Sequence, residues 1–377
     1  MARALDALVE ARMNDGDHFD IAVIGAGPAG SCAAIAAARA GARVVLVDRG
    51  IMPRAKVCGC CLAASGVAAL HAAGAGDALA GAVPLRAIRL ASGARAMTLA
   101  RAAGVAIGRE ELDTRLVDIA RCAGVEVRLE TSARVSRDST VRLTHGTRIS
   151  TLRARTVIVA DGLQGSALDD VPGFEWRITA RSMMGFGATL PATALDCPFG
   201  EIHMHVGRDG YIGVVRLSSG ELDVAAAIAP AAIKRVGTVA ACARKLLAHA
   251  PHDAQAVERA RWRGTPQLTR RRIRVAAPGI LVVGDAAGYI EPFTGEGMSW
   301  AIATGLAAGE LAAQDAHAHE RWPARCAALV ARPKWRCRAI ALALRSPLLV
   351  RAAIAVGARM PQPFERLAAR LEGAVLS

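Results

Sequence analysis

The first part of the chain alternates between short apolar runs and a longer segment of small residues. One apolar run ends at Ile24, a glycine-rich turn follows, an alanine-rich segment extends from Pro28 to Arg39, and a second apolar run covers Val44 to Val47. Short apolar runs next to glycine indicate buried strands, and the longer segment between them is typical of a helix. The pattern predicts the first strand–helix–strand unit of a doubly wound sheet.

The period of the pattern changes further along the chain. Residues 109 to 123 have helical spacing, whereas residues 174 to 230 alternate as strands do. A strand, a glycine turn and a helix return at 279 to 314, and residues 321 to 374 read as helical with prolines as breaks. These shifts predict an α/β fold in which a Rossmann-like domain carries an inserted, mainly antiparallel β domain and a helical C-terminal tail.

The same shifts set the predicted domain boundaries. The nucleotide-binding domain has a first part at 18–173 and a last part at 266–315. The inserted, substrate-facing domain covers 174–265, and the C-terminal helices cover 316–377.

Composition and charge narrow the partners only slightly. The 377-residue chain has a formal net charge of +14, but its basic residues are scattered and no strip of basic residues interleaved with aromatic ones occurs. A nucleic-acid partner is therefore not expected. A basic surface favours anionic cofactors, anionic substrates or lipid headgroups.

Cysteine usage and the apolar segments bear on location. Nine cysteines, an odd number, and an N-terminal region without a continuous apolar run predict a cytoplasmic protein with mostly reduced thiols. The apolar segment at 339–358 is interrupted by Arg345, Pro347 and Arg351, so we reject a membrane span. Two interpretations stay open for the C-terminal helices: packing on the core, or peripheral contact with a bilayer.

The glycine turn after the first strand has the spacing of a dinucleotide fingerprint. Three glycines in the order Gly-x-Gly-x-x-Gly permit a tight turn, a close approach of a pyrophosphate to the backbone, and close helix packing, and the helix N-terminus offers free N–H groups to an anion. Asp48 ends the second strand, where a carboxylate accepts from an adenosine ribose. The cofactor ligands predicted from this unit are Gly25, Gly27, Pro28, Ala29, Gly30, Asp48 and Arg49.

A second glycine element decides between FAD and NAD. The segment VVGDAAGYIEPFTGEG at 282–297 resembles the second flavin fingerprint of the glutathione-reductase-like flavoproteins that include p-hydroxybenzoate hydroxylase and the geranylgeranyl reductases. The resemblance implies FAD, with Asp285 at the ribityl chain and a helix N-terminus at the N1 and O2 edge, where reduced flavin is negative. It implies cofactor contacts from Gly284, Asp285, Pro292, Gly295, Gly297 and Met298.

Two further elements fit the same family. The segment VIVADGLQGSAL resembles the family's Asp-Gly element and implies cofactor contacts at Asp161 and Gly162, although Leu168 and Asp169 stand where an arginine with a nicotinamide role is usual. Arg109 matches the family's arginine at a helix start, which is directed toward FAD. The alternative is an arginine exposed to solvent.

The loop PRAKVCGCC distinguishes branches of the family. It resembles the Pro-Arg-x-Lys-x-Cys-Gly element of the geranylgeranyl reductase-like and flavin-halogenase-like branches. The resemblance implies that the loop with Lys56, Cys58 and Gly59 runs beside the isoalloxazine ring, and that Arg54 is a further cofactor ligand. A zinc site is disfavoured because no second Cys or His pair with metal spacing lies nearby, and no metal is predicted. Two roles stay open for Cys58: a thiol that relays a proton or shapes the site, and a small apolar filler.

The inserted domain supplies the remaining candidates. The region DGYIGVVRLSSGE lacks the tryptophans of the halogenase element, which argues against halogenation. Alternation in EIHMHV places Glu201, His203 and His205 on one strand face. The two histidines are acid–base candidates if that face looks toward the flavin, and otherwise belong to a solvated face.

The sequence thus predicts an FAD-dependent oxidoreductase of the p-hydroxybenzoate hydroxylase and geranylgeranyl reductase-like superfamily, with Cys58, His203 and His205 as candidate catalytic residues. The main hypothesis is hydride transfer through flavin N5 to a hydrophobic polyketide, isoprenoid or aromatic metabolite. The alternative is a monooxygenase that hydroxylates such a substrate through a flavin hydroperoxide; a halogenase and a non-catalytic flavoprotein are less favoured. NADPH, NADH or a separate reductase is the expected electron donor.

Overall fold

The computed structural model describes residues 18–100, 104–136, 140–291, 295–344, 346–360 and 362–363. The described strands are β1 (His18–Ile24), β2 (Val44–Val47), β3 (Cys61–Leu62), β4 (Val83–Pro84), β5 (Ala87–Ser92), β6 (Arg95–Ala100), β7 (Val105–Ala106), β8 (Glu126–Arg128), β9 (Thr131–Val135), β10 (Val141–His145), β11 (Arg148–Val159), β12 (Trp176–Ile178), β13 (Met184–Leu190), β14 (Glu201–Gly207), β15 (Gly210–Arg216), β16 (Leu222–Ile228), β17 (Arg263–Gln267), β18 (Arg270–Arg272), β19 (Ala276–Ala277), β20 (Ile280–Val282) and β21 (Gly288–Tyr289).

The described α-helices are α1 (Pro28–Arg39), α2 (Ala64–Ala72), α3 (Arg109–Cys122), α4 (Pro230–Val236), α5 (Val239–Leu247), α6 (Ala254–Arg259), α7 (Gly297–Gln314), α8 (Ala318–Leu344) and α9 (Pro347–Arg359). Short 3₁₀ turns cover Gly76–Leu79 and Gly284–Ala286. The α/β fold predicted from the sequence is confirmed.

The nucleotide-binding sheet has the strand order β19-β20-β11-β1-β2-β8, with β9 and β10 added beside β11. Strands β20, β11, β1, β2 and β8 run parallel, so their carboxyl ends meet at one edge. Strand β1 is buried on both faces: Ile21 and Val23 belong to the core beneath α1, α3 and α7, whereas Ala22 and Ile24 belong to the core on the other face. This burial explains why β1 is continuously apolar from Ile21 to Ile24 rather than alternating.

Helices α1 and α7 pack in direct contact on one face of this sheet. A Cβ atom added at Gly305 would lie 2.1 Å from the carbonyl oxygen of Ala29, and one added at Gly309 would lie 2.2 Å from that of Ala33. The small-residue composition of both segments therefore permits backbone contact between the helices. This contact fixes the N-terminus of α1 relative to that of α7.

The second sheet has the order β17-β13-β16-β15-β14-β5-β6 and is antiparallel except for the β14–β5 pair. Strands β5 and β6 come from residues that we had assigned to the first part of the nucleotide-binding domain. The expected boundary at residue 174 therefore leaves out two strands of this sheet. The physical reason is that β5 pairs in parallel with β14, which is distant in sequence. No local pattern predicts such a pairing.

The C-terminal helices lie against both sheets. Helix α8 contacts α7 and the β19–β20 edge, and α9 packs on β5 and β6 through the buried side chains of Val350 and Ile354. Within the described part of the chain, no helix is both long enough and apolar enough to cross a bilayer. The rest of the helical tail predicted to residue 374 lies outside the described residues after position 363.

Candidate functional site

A cavity of about 920 Å³ lies between the carboxyl edge of the parallel sheet and one face of the second sheet. Ile24, Val47 and Ala160, at or just after the ends of β1, β2 and β11, line one wall. This edge is where open α/β sheets bind their ligands. Residues of β13, β14, β15 and β16 line the opposite wall.

The glycine turn between β1 and α1 forms part of the first wall. Gly25 has φ of 105°, in the region that favours glycine, and a Cβ there would lie 2.4 Å from the Ala160 carbonyl oxygen. Gly27 is the N-cap residue of α1 and has no side chain that could accept a hydrogen bond. The first N–H groups of the helix therefore face the cavity without a side-chain acceptor. A Cβ at Gly27 would meet only the Arg109 guanidinium, at 3.7 Å. The turn is thus a cradle for an anionic group.

Asp48 lies at the end of β2 and holds the neighbouring loop. Its carboxylate accepts hydrogen bonds from the Ala26 amide at 2.6 Å and the Gly50 amide at 2.7 Å, and it forms an ion pair with Arg54. Burial acts to raise the pKa of Asp48, but the hydrogen bond and charge of Arg54, together with the two amides, outweigh it and hold the pKa below its usual value. Asp48 is therefore an ionised acceptor at this end of the cavity.

A second uncapped helix N-terminus faces the same cavity. Helix α7 begins at Gly297 after Glu296, whose side chain makes no cap, and Gly295, Gly297 and Met298 line the wall. Gly295 has φ of 74°, a conformation that favours glycine. A helix N-terminus stabilises negative charge that develops next to it.

The loop from Arg54 to Cys61 closes the cavity above α3. Arg109 forms a two-point ion pair with the buried carboxylate of Asp113, with both N–O distances 2.8 Å. The hydrogen bond with Cys60 is the main cause that lowers the pKa of Cys58, and with the charge of Arg109 it outweighs burial and brings the pKa to about 6. Burial lowers the pKa of Lys56. Arg109 is thus a partly buried charge beside a thiol, rather than an exposed helix-start arginine.

Most of the predicted cofactor residues lie on this cavity. The predicted residues that line it are Gly25, Gly27, Pro28, Ala29, Asp48, Arg49, Arg54, Lys56, Cys58, Gly59, Arg109, Asp161, Gly162, Asp285, Gly295, Gly297 and Met298. Gly30 and Gly284 lie just behind the wall: a Cβ at Gly30 would lie 1.8 Å from the Gly25 oxygen, and the Gly284 amide donates to Thr304 Oγ1. Pro292 lies outside the described residues.

The two histidine candidates do not face this cavity. Ile202 and Met204 of β14 line it, and strand alternation places His203 and His205 on the opposite face. That face is not solvated either, because α5 lies against β14 and β15 and leaves the two histidines 7% and 6% exposed. His203 is in hydrogen-bond contact with Glu201 at 3.0 Å. The structure therefore supports neither the acid–base interpretation nor the solvated-face interpretation.

Three residues near the cavity were not among our candidates. Tyr211 and Tyr289 line it, and burial raises the pKa of each well above the usual tyrosine value. Asp223, on β16, is in contact with the cysteine loop. The position of Tyr289 directly after the Gly-Asp-Ala-Ala-Gly run was a usable signal, whereas nothing local to Asp223 distinguishes it from a surface strand residue.

The residues present fit FAD. The cavity offers two uncapped helix N-termini, an ionised carboxylate at Asp48 and the cationic side chains of Arg49, Arg54, Lys56 and Arg109. Asp161 faces it as well: one carboxylate oxygen accepts from the Ala167 amide at 2.9 Å, and the other is buried without a protein partner. Such an orphaned acceptor suits a hydroxyl donor from a ligand. Among the described residues, no group of three or more side chains is arranged to hold a metal ion.

Comparisons with known proteins agree with this geometry. The FAD binding domain family matches residues 18–314. Menaquinone reductase of Mycobacterium tuberculosis is 30% identical over 327 residues, which cover 79% of this chain and 78% of that protein. Digeranylgeranylglycerophospholipid reductase 2 of Methanopyrus kandleri is 30% identical over 315 residues, covering 79% and 77%.

A solved structure supports the fold alone. A triple mutant of the flavin-dependent brominase Bmp2 superposes with a TM-score of 0.81 at 17% identity, covering 96% of this chain and 95% of that one. The uncapped glycine cradle, the ionised Asp48 and a family match over most of the chain lead to one conclusion: the protein belongs to the FAD binding domain family and is an FAD-dependent oxidoreductase.

Proposed function

We propose that the protein is a reductase that transfers hydride, supplied by the N5 position of bound FAD, to a hydrophobic small molecule. The observation that carries the proposal is the asymmetry of the cavity. Opposite the basic nucleotide wall lies an apolar wall made of Ile88, Phe186, Ile202, Met204, Val215 and Leu268. The two 30% identical relatives are named for a quinone with a prenyl tail and for a prenylated lipid, and substrates of this class suit such a wall.

The residues of the chain have distinct roles in this reaction. The glycine cradle and Asp48 would bind the nucleotide part of the cofactor, and the N-terminus of α7 would stabilise negative charge at the flavin end. The apolar wall binds the substrate and excludes water from the reaction. Cys58, which lines the cavity beside Arg109, holds a titratable proton at its Sγ atom.

The test is an anaerobic reduction followed by addition of substrate. The purified holoprotein is reduced with NADPH or NADH, and a menaquinone analogue or a prenylated lipid with unsaturated chains is then added without oxygen. We expect reoxidation of the flavin in step with formation of reduced product. Product that forms only when oxygen is admitted, with stoichiometric oxygen uptake, would instead establish the monooxygenase.

The electron donor is part of the same proposal. Leu168, which stands where an arginine with a nicotinamide role is usual, is buried in the core beside the nucleotide-binding sheet, and Asp169 is exposed. Neither offers a cation to a dinucleotide phosphate at this point. We propose that NADPH or NADH binds transiently near the flavin and supplies the electrons. Anaerobic mixing with each nucleotide tests this donor, and a flavin that neither NADPH nor NADH bleaches would instead indicate a separate reductase.

We also propose that the C-terminal helices bind a bilayer surface. Helix α9 buries Val350 and Ile354 against the second sheet but leaves Leu348 and Leu349 77% and 61% exposed, next to the exposed Arg351. Exposed apolar side chains beside basic ones suit a surface with anionic headgroups.

Vesicle sedimentation tests the bilayer contact. We expect the protein to sediment with phosphatidylglycerol vesicles, more weakly with phosphatidylcholine vesicles, and with neither after Leu348→Glu and Leu349→Glu are combined. The matched control is Ile149→Glu, at another exposed apolar residue, which lies on β11 outside these helices. Equal binding by the control and the double variant would rule out a specific contact through α9.

A further inference from the structure

The N-terminus of α7 carries an acidic residue that does not cap it. Glu296 is the N-cap residue of this helix, but its side chain makes no capping hydrogen bond. A carboxylate at a helix N-terminus is attracted by the free amides of the first turn and by the positive end of the helix dipole. Glu296 is only 8% exposed, so solvent does not draw the carboxylate away. A contact within the protein therefore holds it off the helix end.

This contact comes from the C-terminal helix α8. The Cys337 thiol donates a hydrogen bond to Oε2 of Glu296, with 3.4 Å between sulfur and oxygen. A thiol is a weak donor, but Cys337 is 1% exposed, so water does not compete with it for the carboxylate. The side chain of Glu296 is thus directed toward α8 and away from the first turn of its own helix.

Helix α8 is also anchored at other points. The indole N–H of Trp322, near the start of α8, donates to the carbonyl oxygen of Val282 at the end of β20, at 3.0 Å. Further along α8, Val330 and Cys337 belong to the same buried apolar cluster as Trp300 of α7. Loss of the thiol alone is therefore expected to leave α8 in place.

The amides that the Glu296 carboxylate avoids lie at the cavity. Gly297 and Met298 line it, and the first intrahelical bond of α7 runs from the Trp300 amide to the Glu296 carbonyl oxygen at 3.1 Å. The amides of Gly297, Met298 and Ser299 precede that bond, and an N-cap side chain accepts from the second or the third of them. A carboxylate turned back onto these amides would occupy the helix end that faces the cavity.

We propose that Cys337 is a positioning residue that keeps the N-terminus of α7 open for the flavin. Its thiol holds the Glu296 carboxylate beside α8, so the first amides of α7 and the positive end of its dipole stay directed at the cavity. Reduced flavin is the negatively charged form that such a helix end stabilises. Cys337 thereby raises the reduction potential of bound FAD without touching it. The residue lies outside positions 18–314, which match the FAD binding domain family.

This inference rests on the placement of the flavin end at α7 that the proposed function uses. It requires neither substrate nor turnover, because the reduction potential is measured on the protein with FAD alone. A failed reductase assay therefore leaves the inference intact, and an unchanged potential in the variants leaves the reductase assay valid.

The first measurement is the reduction potential of bound FAD in the wild-type protein and in Cys337→Ala, read against a reference dye during slow anaerobic reduction. Without the thiol, the Glu296 carboxylate turns back onto the amides of α7 and opposes the negative charge of the reduced flavin. We expect the equilibrium constant for reduction to fall about tenfold, a drop of about 30 mV for a two-electron couple. A potential equal to that of the wild-type protein would overturn the proposal.

Two matched variants separate the hydrogen bond from packing. Cys337→Ser keeps a donor at the same position, so the equilibrium constant is expected to stay within about twofold of the wild-type value. Val330→Ala shortens a neighbouring side chain of the same cluster and leaves the thiol in place, so we expect a lower free energy of unfolding and no shift in potential. The Cys337→Ala drop in potential, if seen in either control, would overturn the role of the thiol.

Removal of the carboxylate tests whether Cys337 acts through Glu296. In Glu296→Ala no side chain is available to cap the helix, so we expect a potential no lower than that of the wild-type protein. Cys337→Ala added to Glu296→Ala is expected to change the equilibrium constant by less than about twofold, because no carboxylate remains to be released. A tenfold fall in the double variant would show that the thiol acts without Glu296 and would overturn the proposal.

Infrared spectroscopy of the apoprotein observes the bond without flavin. The difference between the wild-type and Cys337→Ala spectra isolates the S–H stretch of Cys337, and a hydrogen bond to an acceptor lowers the frequency of such a band. We expect the band to move to higher frequency in Glu296→Ala, where the acceptor is gone. A band at the same frequency with and without the Glu296 side chain would overturn the proposal.

Discussion

The two walls of the cavity are built in different ways. The nucleotide wall comes from short contiguous motifs: a glycine turn, a loop and two helix N-termini, in which backbone amides and missing side chains would bind the cofactor. The opposite wall comes from single side chains on strands that lie far apart in sequence, from Ile88 on β5 to Leu268 after β17. A motif in the sequence therefore identifies the cofactor, whereas the substrate depends on residues that share no local pattern.

The largest expected effect separates binding from folding on the nucleotide wall. In Gly27→Ala the new Cβ meets only the Arg109 side chain at an ordinary contact distance of 3.7 Å, so we expect normal stability with FAD affinity reduced about 100-fold, close to 2.7 kcal/mol. In Gly30→Ala the Cβ would lie 1.8 Å from a backbone oxygen, so we expect a loss of about 3 kcal/mol in the free energy of unfolding.

Urea unfolding without cofactor and titration with FAD measure the two effects separately. If Gly27→Ala binds FAD like the wild-type protein, the cradle is not the site of close approach and the contrast between the walls is lost.

The next effect concerns the face of the second sheet that points away from the cavity and is covered by α5. Burial, with the charges of His203, Arg89 and His252, lowers the pKa of His205 to about 4, below the value of about 6.5 expected in the unfolded chain. Between these values the unfolded state binds a proton that the folded state does not, so stability falls as the pH drops through this window. The full contribution is about 3 kcal/mol.

Urea unfolding of the wild-type protein and His205→Gln across this window measures the effect. We expect the wild-type curve to fall more steeply with decreasing pH and the variant to lose most of that slope. Parallel curves would show that His205 is not buried in its neutral form.

The smallest expected effect sharpens the functional contrast between the two faces of β14. Met204→Ala shortens a side chain of the apolar wall, so we expect KM for a hydrophobic substrate to rise about tenfold, close to 1.4 kcal/mol, with FAD affinity unchanged. The matched control is His203→Gln on the other face, with kcat/KM expected to stay within about twofold. Loss of turnover in the control would return the histidine to the catalytic candidates.

Much of the nucleotide-binding half was predictable from local pattern. The helix from Pro28 to Arg39 and the strand from Val44 to Val47 have the predicted bounds, and the predicted helix at 109–123 begins at Arg109. The helices pack on one core and the strand is buried between two cores, so sequence pattern and burial coincide. The glycines of the turn were identifiable from the sequence because only glycine fits there: a Cβ at Gly25 or Gly30 has no room.

The inserted domain was less predictable for a definite physical reason. Alternation on β14 divides its side chains into two faces, but it does not say which face meets the cavity or what covers the other. Here α5 buries the face that carries His203 and His205, so polarity did not indicate exposure. Similarly, Asp223 becomes a candidate only because β16 places it against the cysteine loop.

By itself the sequence determined the fold class and the cofactor, and it predicted the wall that would bind FAD, because these depend on backbone conformation and small residues within short segments. The tertiary structure alone decided which strands line the apolar wall and which face of β14 meets the cavity. Those features depend on contacts between distant segments, such as the pairing of β5 with β14, and such contacts leave no periodic trace in the chain.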